Sequence, residues 1–404
     1  MTSSRLPPLV EPFRAERFTA TGKLSALIAP PYDVIVPERR AALAERDTHN
    51  IVHLILPQGT GAARYSHAAA LLERWRADGS LARDAAPSVY VVRQEFETPD
   101  GHKHVRTGVV AALHVEPYDT GRVKPHERTH RGPKEDRLAL SRATCAVLES
   151  IFVLARDTRG HLQRRLEGVT RHEPTALATL DGVRIGLWKV GGVQAAEIAR
   201  AAGEGALYMA DGHHRFETAN AYRAENPAAT RIPALVVPIA DPGLVVLPSH
   251  RMISGATLDP APLLESWRAE FHVDPLAAGV DPDAALQTDH RGPACVVAFS
   301  GQPMQVLSSR SAADGRLEIE VIEDTVVRPL MEAAGGAARV SYSADAAQVI
   351  AAVEAGEIAS GVLVGPTPVE QVLAVSDAQA IMPPKSTYFA PKVPSGLVLM
   401  PYDT

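Results

Sequence analysis

The stretch "YMADGHHRFETANAYR" (208–223) packs an acid, a glycine, two histidines and an arginine between an apolar run and a helix-like one. Asp211 has the side chain of an N-cap residue, which accepts from a backbone N–H two or three residues on. Gly212 lets the chain turn and lets a ligand approach the backbone. His213, His214 and Arg215 fall in the first helical turn, where free N–H groups and the helix dipole favour an anion. Arg215 adds a fixed charge and a two-pronged fork for phosphate. Histidines there can donate to phosphate oxygens or relay protons near neutral pH. The plainer alternative is a solvated turn, but cations at a helix N-terminus oppose the dipole by roughly 0.3–1 kcal/mol, a conflict that a bound anion removes.

A second cluster lies in "VKPHERTHRGPKEDR" (123–137), where residues 124–134 set one carboxylate, Glu127, among Lys124, His126, Arg128, His130, Arg131 and Lys134. A lone carboxylate amid cations suits a general base beside a polyphosphate; the alternative is a surface loop of weak ion pairs. Read literally, "HERTH" is the H-E-x-x-H zinc pattern. That pattern needs a well-formed helix, whereas Pro125 precedes this one and Gly132–Pro133 follow it closely. "PPKSTYFAPK" (383–392) offers Lys385, Ser386 and Lys392 to a phosphate or a substrate carboxylate. "LPSHRMI" (247–253) holds another His–Arg pair, His250 and Arg251, which reads first as a strand end, and "APPYDVI" makes a tight turn that offers Tyr32 and Asp33 as wall residues. Lysine is scarce, seven against thirty-four arginines, and four of the seven are Lys124, Lys134, Lys385 and Lys392.

The elements that must position these groups follow from periodicity. "PERRAALAERD" (37–47) predicts a helix opened by Pro37, and "NIVHLILP" (50–57) a strand. Residues 64–81 predict a helix that stops at Asp78–Gly79. Residues 88–98 and 103–116 predict a β-hairpin, 117–133 a loop and 134–150 a helix. Strands are expected at 151–157, 177–190, 232–241 and 243–253, and a helix at 191–205. Residues 206–226 read as strand, turn and helix. Further strands are expected at 293–301 and 360–367. The class is mixed α and β, with no regular βαβ alternation.

At 404 residues the chain is too long for one core, so two or three domains are expected. The pattern divides it into 1–110, 111–254 with the histidine-rich turn, and 255–404 with a tail returning to the site. A net charge of -6 gives no basic surface for nucleic acid or anionic lipid. No apolar run reaches membrane-spanning length and no signal-peptide core opens the chain, so the cytoplasm is expected. Two cysteines fit a reducing compartment, with Cys145 expected to be a small buried residue.

Six motifs in order, "APPYDV", "KPHERT", "GPKEDRLAL", "MADGHHRFETA", "LPSHRMI" and "PPKSTYFAPK", resemble a large bacterial and archaeal family, domain of unknown function ten-fifteen. More distantly, Asp-Gly-His-His-Arg after a strand and opening a helix resembles the phosphate-binding motif of the ParB–sulfiredoxin superfamily, in the form found in its free-serine kinases. That resemblance implies an α+β fold with a mixed sheet: a ParB/sulfiredoxin-like phosphate-binding core with insertions, plus N- and C-terminal α/β parts. It gives Glu127 the role of catalytic glutamate and makes Asp211, Gly212, His213, His214 and Arg215 the phosphate and metal-site residues. His214 is expected to assist catalysis and Lys134 to contact phosphate. Tyr32, Asp33, His126, Arg128, His250, Arg251, Lys385, Ser386 and Lys392 are expected around the substrate.

The function expected is nucleotide-dependent phosphotransfer from ATP or ADP with Mg²⁺ to a small hydroxyl substrate such as L-serine. Partners are then small molecules, with no nucleic acid or membrane, and a homodimer is admitted. The competitors are a phosphohydrolase with His213 or His214 as proton donor, a nucleotide-binding protein without turnover, and the zinc protease.

Overall fold

In the computed structural model, residues 6–129, 131–277, 279–287, 290 and 292–402 are described. The chain forms two compact units, one of residues 1–244 with 391–404 and one of residues 245–390. Among the described residues no helix is long and apolar enough to cross a membrane.

In chain order the first unit contains β1 (Val10–Glu11), α1 (Pro37–Arg46), α2 (Val52–Ile55), α3 (Ala63–Ala77), β2 (Ser88–Glu97), β3 (Lys103–His114), β4 (Val123–Lys124) and α4 (Arg131–Thr144). It continues with β5 (Ile151–Ala155), α5 (His161–Val169), β6 (Ala176–Leu180), β7 (Val183–Gly191), α6 (Gly192–Ala202), β8 (Leu207–Asp211), α7 (His213–Glu225) and β9 (Arg231–Pro238). These nine strands make one sheet in the order β4-β8-β5-β9-β3-β2-β7-β6, with β1 beside β3. The pairs β4–β8 and β5–β9 are parallel and the others antiparallel, so the expected α+β class with a mixed sheet holds.

Alternation builds this sheet. Val89 and Val91 of β2, Val109, Ala111 and Leu113 of β3, and Ile151 and Val153 of β5 are buried in one core with Phe216 of α7. The expected hairpin is β2–β3, turned at Gly101 with φ +81°. At one end of the sheet Asp84 accepts from Arg17 at 2.8 and 3.0 Å, Lys189 at 2.8 Å and the Tyr90 hydroxyl at 2.6 Å. Burial alone would raise this carboxyl; those donors hold it at about 2.

Four expectations in this unit fail for local reasons; the single strand expected at 177–190 is the hairpin β6–β7, turned at Asp181 and Gly182 with φ +50° and +78°. Residues 50–57 do not form a strand. Asn50 Oδ1 accepts from the Val52 N–H at 2.9 Å, its amide donates to the Ala26 and Ile28 carbonyls, and the apolar run coils into α2 with Val52, Leu54 and Ile55 fully buried. The helix expected to reach 150 stops at Thr144, whose hydroxyl turns back to the Leu140 carbonyl. Cys145 then takes a left-handed φ of +47° and is exposed rather than buried. The apolar stretch beginning at Ala146 starts a new strand pairing instead.

The second unit contains β10 (Val245–Leu247), β11 (His250–Ser254), β12 (Phe271–Pro275), β13 (Ala294–Phe299), β14 (Gln305–Ser309), β15 (Arg339–Ser343), β16 (Ser360–Val364) and β17 (Tyr388–Ala390). Six of these form an antiparallel sheet in the order β12-β14-β13-β16-β11-β15, and β10 pairs with β17. The single strand expected at 243–253 is thus two strands in different sheets, broken at Pro248, which has no N–H to continue a ladder. Ile253, Cys295 and Val362 pack on this sheet against Ile319, Ile322, Val326 and Leu330 of one long helical stretch, which is interrupted by a π turn at Glu323–Val327.

Candidate functional site

The parallel pairing of β4 with β8, Val123 opposite Leu207 and Lys124 opposite Tyr208, fixes the geometry. Parallel strands end on the same side, so the chain after Lys124 leaves beside the chain after β8. The register of β8 against β5 shifts between Met209 and Asp211. Such a bulge re-aims the residue that follows it, here Asp211.

The N-cap position of α7 falls to Gly212, not to Asp211, which closes the strand. Gly212 sits at φ +96°, and a Cβ there would stand 2.8 Å from Ile151 Cγ2 and 3.2 Å from Arg215 Nε. Only glycine passes this point without strain. Gly212→Ala is expected to cost roughly 1–3 kcal/mol. Urea unfolding of the full chain measures it, and a midpoint equal to the wild type's would contradict the strain.

The Asp211 carboxylate takes two cations. Arg215 Nη2 donates to one oxygen and Lys392 Nζ to the other, and Arg215 Nη1 also donates to the Ser150 carbonyl. Arg215 is buried; its charge survives burial because Asp211, then Glu149 and Asp33, favour it. The fork expected to face a phosphate is therefore used to hold the acid and the chain entering β5. The residue presented beside them is His214, half-buried, whose carbonyl accepts from Thr218 one turn on.

His213 and His126 form a buried pair. The His126 N–H points to His213 Nε2 at 3.4 Å, and the rings meet edge to face with centroids 4.7 Å apart. That contact assigns the proton of neutral His213 to Nδ1. Burial pushes His213 well below its ordinary range, and it takes His126 down to about 4 with a further push from Lys392. Burial therefore disfavours the charged form of both rings, which argues against His213 as a cationic phosphate donor.

The unfolded chain protonates such rings below about 6.5, whereas the folded one protonates His126, and His250 in the second unit, only near 4. Their contribution is complete above the unfolded value and is lost as pH falls toward 4. The urea midpoint is expected to drop between pH 7 and pH 4.5; a flat profile there would contradict it.

Glu127 lies between two anchors on α7. One is His126 on His213. The other is Thr129, whose hydroxyl donates to Glu217 Oε2 at 2.6 Å. Lys134, expected on phosphate, donates to that same Glu217 oxygen at 2.8 Å. Glu127 is half-buried and Arg128 exposed. Residues 125–129 are not helical, so the helix that a zinc H-E-x-x-H pattern requires is missing at its first histidine, and His130 lies outside the described residues. Among the described residues no three His, Cys, Asp or Glu side chains gather as a metal cage.

Tyr32 and Asp33 stand on the same side as Arg215. The Tyr32 N–H donates to Glu149 Oε1 at 3.0 Å and the Arg137 guanidinium lies 4.2 Å from its ring centroid. Burial, then Asp33, pushes the phenol up to about 12. Arg137, Glu149 and Arg215 also line a cavity of about 40 Å³ behind α7, room for about one water. Arg137, Glu149 and Ser150 were not legible as site residues. Their one signal is that charged and polar residues crowd the approach to β5.

Of the remaining expected residues, His250, Arg251, Lys385 and Ser386 belong to the second unit. His250 is fully buried, accepts from the Val364 N–H at 3.1 Å, and is pushed down to about 4 by burial, then by Arg251. Arg251 is fully buried on Glu323, Nε to Oε1 at 2.7 Å. Ser386 donates to the Pro383 carbonyl at 2.7 Å, and Lys385 is exposed at φ +56°. Lys392, by contrast, belongs to the first unit and reaches Asp211.

Several solved structures are similar to part of this chain. A conserved hypothetical protein from Pyrococcus furiosus is 14% identical, with 70% of this chain and 93% of that one covered and a TM-score of 0.39. A free serine kinase in complex with AMP is 13% identical, with coverage of 70% and 89% and a TM-score of 0.39. SbnI with a C-terminal truncation from Staphylococcus aureus is 11% identical, with coverage of 72% and 86% and a TM-score of 0.40. No curated protein matches the chain. The family described as "Protein of unknown function (DUF1015)" matches residues 10–330, most of the length, and this chain belongs to that family.

Proposed function

We propose that the chain is a nucleotide-dependent phosphotransferase acting on a small hydroxyl substrate, with free L-serine the first acceptor to test. The observation that carries the reading is the pinning of the Glu127 segment against the N-terminal turns of α7, by His126 on His213 and Thr129 on Glu217. This brings the chain segment that carries Glu127 close to the helix whose opening N–H groups and dipole attract phosphate.

In this mechanism the phosphates lie on the amides that open α7, with His214 at their side. Arg215 keeps Asp211 and the Ser150 carbonyl in register. Glu127 receives the acceptor's hydroxyl proton as its oxygen attacks phosphorus. Neutral His126 and His213 exclude water beneath the turn. Mg²⁺ would come as an ion brought on the nucleotide's own phosphates with one or two carboxylates; the acid that would hold it here is Asp211. When bound it would neutralise phosphate charge. Positioning and charge neutralisation then supply most of the rate.

The test is incubation of the full chain with ATP or ADP, Mg²⁺ and hydroxy amino acids, with phosphorylated product followed by mass spectrometry. Nucleotide-dependent product supports the reading. Phosphate release from phosphoserine without nucleotide, or tight nucleotide binding with no product, would replace it with hydrolysis or with binding alone.

A further inference from the structure

Lys392 is delivered to the site by the closing segment of the first unit. Its backbone is fixed on both sides. Gln94 Nε2 donates to the Lys392 carbonyl at 3.2 Å, Arg106 donates to the Pro391 carbonyl, and Ser395 exchanges two backbone hydrogen bonds with Ala29 at 2.8 and 3.2 Å. The ammonium ends on Asp211. A residue 181 positions along the chain from Asp211 thus supplies a cation to the acid of the motif.

The two cations on Asp211 are built differently. Arg215 is a rigid plane with one arm on Asp211 and the other on the Ser150 carbonyl, its side chain 6% exposed. Lys392 is a point charge on a flexible four-carbon stem, 13% exposed, rooted in a fixed backbone. It can swing without any backbone change. Its neighbours His126 and His213 are neutral, and Lys134 is drawn to Glu217. A phosphoryl group in transfer spreads its charge over three equatorial oxygens and is stabilised by a cation that meets it there.

We propose that Lys392 is a catalytic residue, its ammonium passing from Asp211 to the transferring phosphoryl group when nucleotide binds. This rests on the phosphotransferase reading. In the step, a lone pair of the acceptor oxygen forms the new O–P bond. The bond from phosphorus to the nucleotide's bridging oxygen breaks, and its electron pair stays on the departing nucleotide. The hydroxyl proton goes to Glu127. Lys392 donates hydrogen bonds to the equatorial oxygens and leaves the step unchanged. Asp211 stores the ammonium in the free protein.

The test compares the wild type with Lys392→Met and Lys392→Arg as full chains, using the donor and acceptor that support wild-type turnover. Lys392→Met is expected to lower kcat about 10²–10³-fold, Lys392→Arg to keep part of it, and AMP affinity by calorimetry to stay unchanged, because AMP lacks the phosphoryl group that is moved. Thermal unfolding of each variant controls for folding. Wild-type kcat in Lys392→Met overturns the proposal while leaving the phosphotransferase reading intact. So does a parallel loss of kcat and AMP affinity in both variants, which marks a structural role. A wild-type chain that phosphorylates no acceptor overturns both.

Discussion

Glu127→Gln is expected to lower kcat for nucleotide-dependent phosphotransfer about 10²–10⁴-fold, the range of a removed general base, while nucleotide affinity stays unchanged. The substitution keeps size and polarity, so it leaves the anchors on either side in place, His126 on His213 and Thr129 on Glu217. Only the acceptor for the hydroxyl proton is removed. Steady-state kinetics with calorimetry separates the two quantities. Unchanged kcat would remove Glu127 from the mechanism, and an equal loss in affinity would make it a binding residue instead.

The largest effect on stability is expected in the second unit. Glu323→Ala leaves the Arg251 guanidinium, fully buried beneath the helical stretch, without its carboxylate. Breaking a buried pair from one side costs about 3–5 kcal/mol, because a charge remains uncompensated. Glu323 opens the π turn at Glu323–Val327, where the helix is locally unwound. Faster hydrogen exchange is expected in Ile253 and Val362, which share the core beneath this helix. Replacing both partners, as Arg251→Met with Glu323→Leu, is expected to recover most of the loss. Exchange rates in Glu323→Ala equal to the wild type's would show that the pair contributes little.

Much of the local structure was legible from periodicity. The 208–223 stretch reads as strand, turn and helix because apolar residues end at Ala210, a glycine follows, and helical spacing resumes at Phe216. The hairpin of β2 and β3 is legible for the same reason, with its turn residues between two alternating runs. What periodicity cannot carry is pairing between distant strands. Two residues, Val123 and Lys124, form β4, too short a run to signal a strand, yet their parallel match with β8 is what brings Glu127 to α7. "NIVHLILP" misled because the turn in which Asn50 Oδ1 accepts from the Val52 N–H outweighed the β-propensity of its neighbours.

Within the site, residue type was a better guide to place than to role. Arg215 stands in the predicted turn, but a buried guanidinium is bound to the nearest carboxylate and carbonyl, and only the fold reveals that these are Asp211 and Ser150. His213 has the side chain of a proton relay, yet burial against His126 disfavours its charged form. His250 and Arg251 open a strand of the six-stranded sheet and are buried against the Val364 N–H and Glu323.

The most direct test of the central claim is a crystal structure of the full chain with a non-hydrolysable nucleotide. The account predicts phosphate oxygens on the backbone amides of His213, His214 and Arg215, with the Glu127 carboxylate on the open side of the terminal phosphorus. A nucleotide bound away from that helix, or one on it with Glu127 facing elsewhere, would contradict the account.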